Sequence, residues 1–109
     1  MSTLLMKVVQ LSNDRVRGDI ADHWTVSLDG VLLLDSPIYG RALDLAIKCR
    51  HQPDALRAAV NERAHELTEQ IVQAVNMNDQ DDAADLGNEL LRLRWTYARI
   101  AQSLQKEAA

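Results

Sequence analysis

The chain has little cysteine, glycine or aromatic content, and each scarcity excludes a class of structure or chemistry. Cys49 is the only cysteine among 109 residues, so no intramolecular disulfide can form and a reducing compartment is expected. Four glycines supply neither a phosphate-cradling loop nor a dinucleotide-binding fingerprint. Phenylalanine is absent, and with two tryptophans and two tyrosines the core must consist mainly of branched aliphatic residues and alanine.

Positive charge is also in the minority. Lys and Arg number 12 against 16 Asp and Glu, which gives a net charge of −4 and a pI near 5.2. An acidic chain repels nucleic-acid phosphates on average, so nucleic acid is disfavoured as a partner. A nucleic-acid-associated regulator with a local basic face stays open as a second alternative, carried by Arg41, Lys48, Arg50 and Arg57.

Long hydrophobic runs are lacking as well. The opening segment MSTLLMKVVQL has an apolar run too short to span a membrane, and no basic segment precedes that run. We therefore expect no membrane association. The length and ordinary composition predict a single cytoplasmic domain over residues 1–109.

Two apolar runs flank Asp29-Gly30 and predict a β-hairpin over residues 23–35. Both central residues of a type I′ turn need positive φ, which Asp tolerates and Gly adopts freely. A two-residue turn fixes the register, and the predicted pairs are Leu28 with Val31, Val26 with Leu33, and Trp24 with Asp35. Trp24 is expected to anchor the core because it can bury more area than its neighbours.

An isolated hairpin is marginal in water, so a third strand is expected. Residues 4–11, LLMKVVQL, are the candidate, and residues 12–22 are interpreted as a polar connection. The same apolar positions also fit a helix through Leu4, Val8 and Leu11. We favour the strand because the sheet otherwise lacks a member.

Helical periodicity follows the hairpin, after Pro37 and Gly40. A short helix is predicted over residues 41–51, and a long antiparallel helical hairpin over 53–76 and 80–106, with Pro53 in a first helical position. Apolar stripes in alternating steps of 4 and 3 mark the facing sides of the two arms: Val60, Ala64, Leu67, Ile71 and Ala74, then Leu86, Leu90, Leu93, Tyr97, Ile100 and Leu104. The predicted fold is α+β, with a small antiparallel sheet packed against these helices.

The last helix carries further apolar residues beside its main stripe: Leu91, Trp95 and Ala98. One partner helix cannot cover so wide a face. Two interpretations remain open. The extra residues pack on the sheet or the short helix, or they form the surface of a homodimer, which we expect because the domain is small.

Four aspartates gather at the start of the same helix: Asp79, Asp81, Asp82 and Asp85. Negative charge there opposes the exposed N–H groups of a helix N-terminus, so helix capping explains the cluster. A contact with a basic surface of a partner is the second interpretation. No register supplies both the Gly and the Glu that an EF-hand calcium loop requires.

One pattern points to catalysis. Glu66-Leu-Thr-Glu69, followed after twelve residues by Asp82-Ala-Ala-Asp85, resembles the paired E-x-x-E and E-x-x-D motifs of the all-α nucleotide pyrophosphohydrolases. The resemblance covers twenty residues and departs from the pattern in having Asp82. It implies a magnesium-dependent enzyme with carboxylates on two helices. Across the predicted hairpin Glu89 is a better-placed partner for Glu66 and Glu69 than the two aspartates.

The leading prediction is nevertheless a non-catalytic protein-binding module without metal or cofactor, acting through apolar and acidic surfaces. The segment HELTE lacks the second histidine of a zinc-protease helix, since Glu69 stands in its place. No nucleophile elbow or spaced catalytic triad occurs. Compact acidic chains with no visible chemistry often serve as adaptors, assembly factors or inhibitors, including those encoded by phages and other mobile elements. The sequence leaves the identity of the partner protein open.

Overall fold

The computed structural model describes residues 3–14 and 23–108 and has the predicted α+β architecture. The elements in chain order are α1 (Thr3–Val8), β1 (Val9–Asp14), β2 (His23–Leu28), β3 (Val31–Ser36), α2 (Tyr39–His51), α3 (Pro53–Asn76) and α4 (Gln80–Ala108). The three strands form one antiparallel sheet in the order β1-β2-β3. In the part of the chain that the structure describes, no helix has the length and apolar character needed to cross a membrane.

Residues 4–11 divide between the two structures that their pattern allowed. The segment is helical up to Val8 and becomes strand β1 at Val9, so the third strand exists but starts five residues later than predicted. Each half buries an apolar side chain, Leu5 from the helix and Val9 from the strand. The predicted polar connection over 12–22 is also corrected, because its first three residues belong to β1. Residues 15–22 lie outside the described residues.

The hairpin turn has the predicted type I′ conformation. Asp29 and Gly30 both have positive φ, 49° and 85°. The backbone N–H of Asp29 also donates to the carbonyl of Val8, at 2.7 Å. That bond fastens the turn to the junction of α1 and β1.

The predicted hairpin register is correct next to the turn and wrong beyond it. Leu28 pairs with Val31, as expected, but a β-bulge between Val26 and Ser27 brings Val26 opposite Leu34 and Trp24 opposite Ser36. The extra residue in β3 lets both Leu33 and Ser36 face the core although they are three positions apart. The buried Ser36 hydroxyl accepts a hydrogen bond from the N–H of Ile38, at 3.1 Å.

One continuous core joins the sheet to the helices. Helix α2 contributes a narrow face of small residues, Ala42, Ala46 and Cys49, all fully buried. Trp24 is only partly buried; it packs against this core, and its ring centroid lies 4.5 Å from that of Tyr39. Helix α2 begins two residues before its predicted start and therefore includes Gly40 in its first turn.

The helical hairpin of α3 and α4 is as predicted. Its facing stripes are buried most deeply at Val60, Leu67, Leu93 and Ile100. The turn depends on Asp79, whose N–H donates to the carbonyl of Ala74 at 2.9 Å, while its carboxylate accepts from the N–H of Asp82 at 3.1 Å. Asp79 thus ends α3 and caps α4, which confirms capping for this member of the acidic cluster.

Candidate interaction surface

A second regular stripe lies on the side of α4 opposite the one that packs on α3. Its residues follow one another in steps of 4 and 3, and all are exposed: Ala84, Asn88, Leu91, Trp95, Ala98 and Gln102. We call these six residues the outer stripe. None of them is charged. Heptad spacing of this kind is typical of a helix face that pairs with another helix.

Leu91 and Trp95 are the largest members of the outer stripe, and they are 67% and 69% exposed. The interpretation that they pack on the sheet or on α2 is therefore wrong. Leu93 is fully buried, and each of the two stands two residues from it, a rotation of about 200° around the helix axis. They consequently face solvent.

One side of the Trp95 ring is covered by Arg99, which is bound to the turn of the β-hairpin. The guanidinium of Arg99 lies over the Trp95 ring, 5.4 Å from its centroid. The same guanidinium forms an ion pair with the carboxylate of Asp29 in the turn between β2 and β3. The β-hairpin therefore does more than cover the helices, because its turn restricts an exposed aromatic side chain through Arg99.

A groove of about 340 Å³ runs alongside the outer stripe, between the hairpin and α4. Its lining consists of Gly30, Val31, Leu32, Asp85, Asn88, Glu89 and Arg92. Asn88 belongs to both the groove and the outer stripe. A partner on the stripe would therefore meet the hairpin as well.

Charge is distributed unevenly along α4. Residues 79–91 contain five acidic residues and no Lys or Arg, whereas residues 92–108 contain four basic residues and one acidic residue. This order follows the helix dipole, with negative charge near the N-terminus and positive charge near the C-terminus. The uncharged outer stripe runs through both the acidic and the basic half.

Three carboxylates that the magnesium-site resemblance would use, those of Glu66, Glu69 and Glu89, are paired with basic side chains. Arg63 binds Glu66 at 3.3 Å and Glu89 at 3.0 Å, so the expected proximity of Glu66 and Glu89 is confirmed, with a guanidinium between them. Glu69 pairs with His65 at 3.1 Å. Over residues 3–14 and 23–108, no group of three or more His, Cys, Asp or Glu residues is placed to hold a metal ion, and Asp82 and Asp85 do not join Glu66 and Glu69 in one.

The predicted basic residues are not brought together on one face. Lys48 pairs with Asp44 at 3.0 Å. Arg50 donates from Nε to the carbonyl of Val9, also at 3.0 Å, and so fastens α2 to the sheet. It stands nine residues from Arg41, about 180° around the helix. Arg57, on α3, is exposed.

A smaller cleft of about 210 Å³ opens where β3, α2 and α3 meet. Its charged lining residues have both signs and are Arg41, Asp44, Glu62 and Glu66. The volume is below that of typical small-molecule sites, which is about 300 to 1,000 Å³. The outer stripe is the more extensive candidate surface.

Sequence reasoning identified three of the six outer-stripe residues, namely Leu91, Trp95 and Ala98. It missed Ala84, Asn88 and Gln102 because small or polar side chains do not register in an apolar pattern. The signal that could have revealed them is the absence of charge at heptad positions in a helix otherwise rich in charge.

Comparisons with known proteins gave no matching family model, curated protein or solved structure.

Proposed function

We propose that the protein is a non-catalytic protein-binding module that offers the outer stripe of α4 to a helix of its partner. The observation that carries this proposal is the exposure of Leu91 and Trp95 at heptad spacing on a helix face without charge. Helix pairing uses such stripes, and tryptophan is enriched among the residues that dominate binding energy. The role is that of an adaptor, assembly factor or inhibitor.

The restricted position of the Trp95 side chain supports the proposal. A side chain that is already held near its bound position loses less conformational entropy when a partner arrives. Arg99 restricts Trp95 through the cation–π contact, and Asp29 restricts Arg99 through the ion pair. An exposed tryptophan fixed in this way is suited to act as an anchor.

The dimensions of the stripe also favour a helical partner. From Ala84 to Gln102 the helix rises about 27 Å at 1.5 Å per residue, which is the length of a helix of about five turns. The adjoining groove has charged side chains of both signs, Asp85, Glu89 and Arg92, that can form the polar rim of the interface. We further propose that the module works in the cytoplasm, where the lone Cys49 stays reduced.

The proposal is tested by affinity capture from lysate of the source cells with three tagged proteins. These are the wild type, a stripe variant (Leu91→Lys with Trp95→Lys), and a control variant (Val72→Lys with Val75→Lys). The control changes two α3 valines that are 54% and 58% exposed, so it adds the same charge at similar exposure away from the stripe.

We expect the wild type and the control to capture the same protein partner and the stripe variant to lose it. All three should have the same far-ultraviolet circular dichroism and similar melting temperatures, because the substituted side chains are exposed. Equal capture by all three proteins would show that the outer stripe is not the binding surface.

A further inference from the structure

We infer that the partner on the outer stripe is a second copy of this chain, with the two α4 helices antiparallel. The inference rests on the proposed function and deepens it by naming the occupant. It is carried by the charge distribution along α4 and by the symmetry of the outer stripe.

Charge complementarity favours the antiparallel orientation. In that orientation the acidic half of one α4 (residues 79–91) lies along the basic half (92–108) of its partner, and the reverse holds at the other end. Glu89 and Arg99 already have partners in their own chain, Arg63 and Asp29. Without those two, four acidic residues still face three basic residues and one acidic residue. A parallel pair would place like charges side by side.

The outer stripe is complementary to itself in the same orientation. Pairing about a two-fold axis at residue 93 puts Leu91 against the partner's Trp95 and Asn88 against the partner's Ala98. The symmetry forms each contact twice, which is the arrangement of a two-fold dimer interface. The two largest apolar side chains of each outer stripe are thereby covered, and a smaller side chain meets each polar one.

The flanking charges come into register as well. At about 100° of rotation per residue, Asp81, Asp85, Arg99 and Lys106 share one flank of the stripe. In the antiparallel pair Asp81 lies beside the partner's Lys106. Arg92 and Arg94 approach their own counterparts near the axis, but both side chains are exposed and long enough to turn toward water.

The size of the contact sets the expected affinity. A contact along one helix, about 27 Å long and about 10 Å wide, is a smaller area than the roughly 800 Å² per partner of a standard interface. We therefore expect a reversible dimer with a dissociation constant in the micromolar range.

Sedimentation equilibrium of the full chain over micromolar concentrations tests self-association. The wild type and the Val72→Lys, Val75→Lys control should dimerise with equal affinity, whereas the Leu91→Lys, Trp95→Lys variant should remain monomeric. Asp81→Lys should weaken the dimer, and adding Lys106→Glu to the same chain should restore it, because the pair is then reversed rather than removed.

Disulfide trapping tests the orientation. Asn88→Cys and Ala98→Cys chains carrying different tags are mixed and oxidised, while the native Cys49 stays unreactive because it is fully buried. The antiparallel pair predicts a disulfide between residue 88 of one chain and residue 98 of the other, with few links between identical positions. Predominant links between two copies of residue 88 would overturn the antiparallel arrangement.

Failure of this inference can be told apart from failure of the proposed function. A wild type that stays monomeric at all concentrations overturns the second copy as occupant, while loss of a captured partner from the stripe variant would still support the binding module. A dimer that survives Leu91→Lys with Trp95→Lys overturns the outer stripe as its interface.

Discussion

Arg99 lies over the ring of Trp95, 5.4 Å from its centroid, and its guanidinium is paired with Asp29 in the hairpin turn. Residues far apart in the sequence thereby set the position of one exposed aromatic side chain. The type I′ turn holds Asp29 where its carboxylate meets α4. A turn that is favoured by local backbone conformation therefore contributes to the candidate surface.

Replacing Asp29 should loosen Trp95 without unfolding the hairpin. Asn tolerates the positive φ of this position, so Asp29→Asn keeps the turn and removes the ion pair. We expect the free energy of unfolding to fall by less than about 1 kcal/mol, since the pair is exposed. In a Trp24→Phe background, the fluorescence anisotropy of Trp95 should fall. The matched control is Asp35→Asn, which removes the exposed contact with His23 and should leave that anisotropy unchanged.

The two tryptophans should respond in opposite ways to truncation. Trp24 packs against the core and Tyr39, so Trp24→Ala should lower the free energy of unfolding by about 3 kcal/mol in urea denaturation. Trp95 is exposed in the single chain, and Trp95→Ala, measured below the concentration at which the chain dimerises, should cost less than about 0.5 kcal/mol beyond the weak contact with Arg99. Similar losses for the two variants would contradict the distinct roles assigned to them.

Arg63 should matter for stability more than an exposed cation does. Its side chain is 12% exposed and lies between Glu66 and Glu89, so its removal leaves two carboxylates without their common partner. Arg63→Ala should reduce the free energy of unfolding by about 1 to 3 kcal/mol. His65→Ala removes an exposed pair with Glu69 and should change it by less than about 0.5 kcal/mol. Equal effects in urea titrations would argue against a structural role for Arg63.

The Cys49 thiol should make stability fall at alkaline pH. Burial raises its pKa from 9.0 to about 11, so between these values the unfolded chain releases a proton that the folded chain retains. The stabilising contribution is complete below pH 9 and is lost as the pH rises toward 11, with a slope of at most about 1.4 kcal/mol per pH unit. Cys49→Ala should lack this component when the two proteins are compared by urea denaturation across the same range. Parallel curves for both would contradict the assignment.

Replacing Gly30 or Gly87 by alanine should change the stability of the protein in opposite directions. At both Gly30 and Gly87 an added Cβ would meet no heavy atom within 4 Å in the part of the chain that the structure describes, so only the backbone decides. Gly30 has a φ of 85°, and Gly30→Ala should destabilise the protein by about 1 kcal/mol. Gly87 is helical, and Gly87→Ala should stabilise it by up to about 1 kcal/mol. Thermal denaturation of both variants checks the two signs.

Local rules predicted much of this fold. The Asp29-Gly30 turn, the Pro53 start of α3 and the facing stripes of the helical hairpin each depend on neighbours in sequence, and each is found where the pattern places it. The β-bulge between Val26 and Ser27 was not predicted, because it serves the burial of Leu33 and Ser36 against distant elements. The division of residues 4–11 escaped prediction for a related reason. Their apolar positions fit both the helical and the strand period, and only packing with the rest of the core selects between the two structures.

The candidate surface was predictable in part. Apolar side chains at Leu91 and Trp95 are visible in the sequence, but their exposure depends on which side of α4 turns toward α3. The contact between Arg99 and Asp29 joins residues 70 positions apart, and no local pattern announces it. The ion pair between Arg63 and Glu89 was likewise not predicted, because the spacing of the carboxylates suggested a metal site instead.

Helix α4 carries two heptad registers that differ by two residues, and the register with more large apolar side chains is the one that packs on α3. Leu93 and Ile100 belong to the buried register, while Leu91 and Ala98 belong to the outer one. Two residues correspond to about 200° of rotation, so exchanging the two faces would bury Asn88 and Gln102 and expose the leucine-rich face. The composition of the two registers therefore keeps the leucine-rich face inside and leaves the candidate surface outside, whatever the length of the turn.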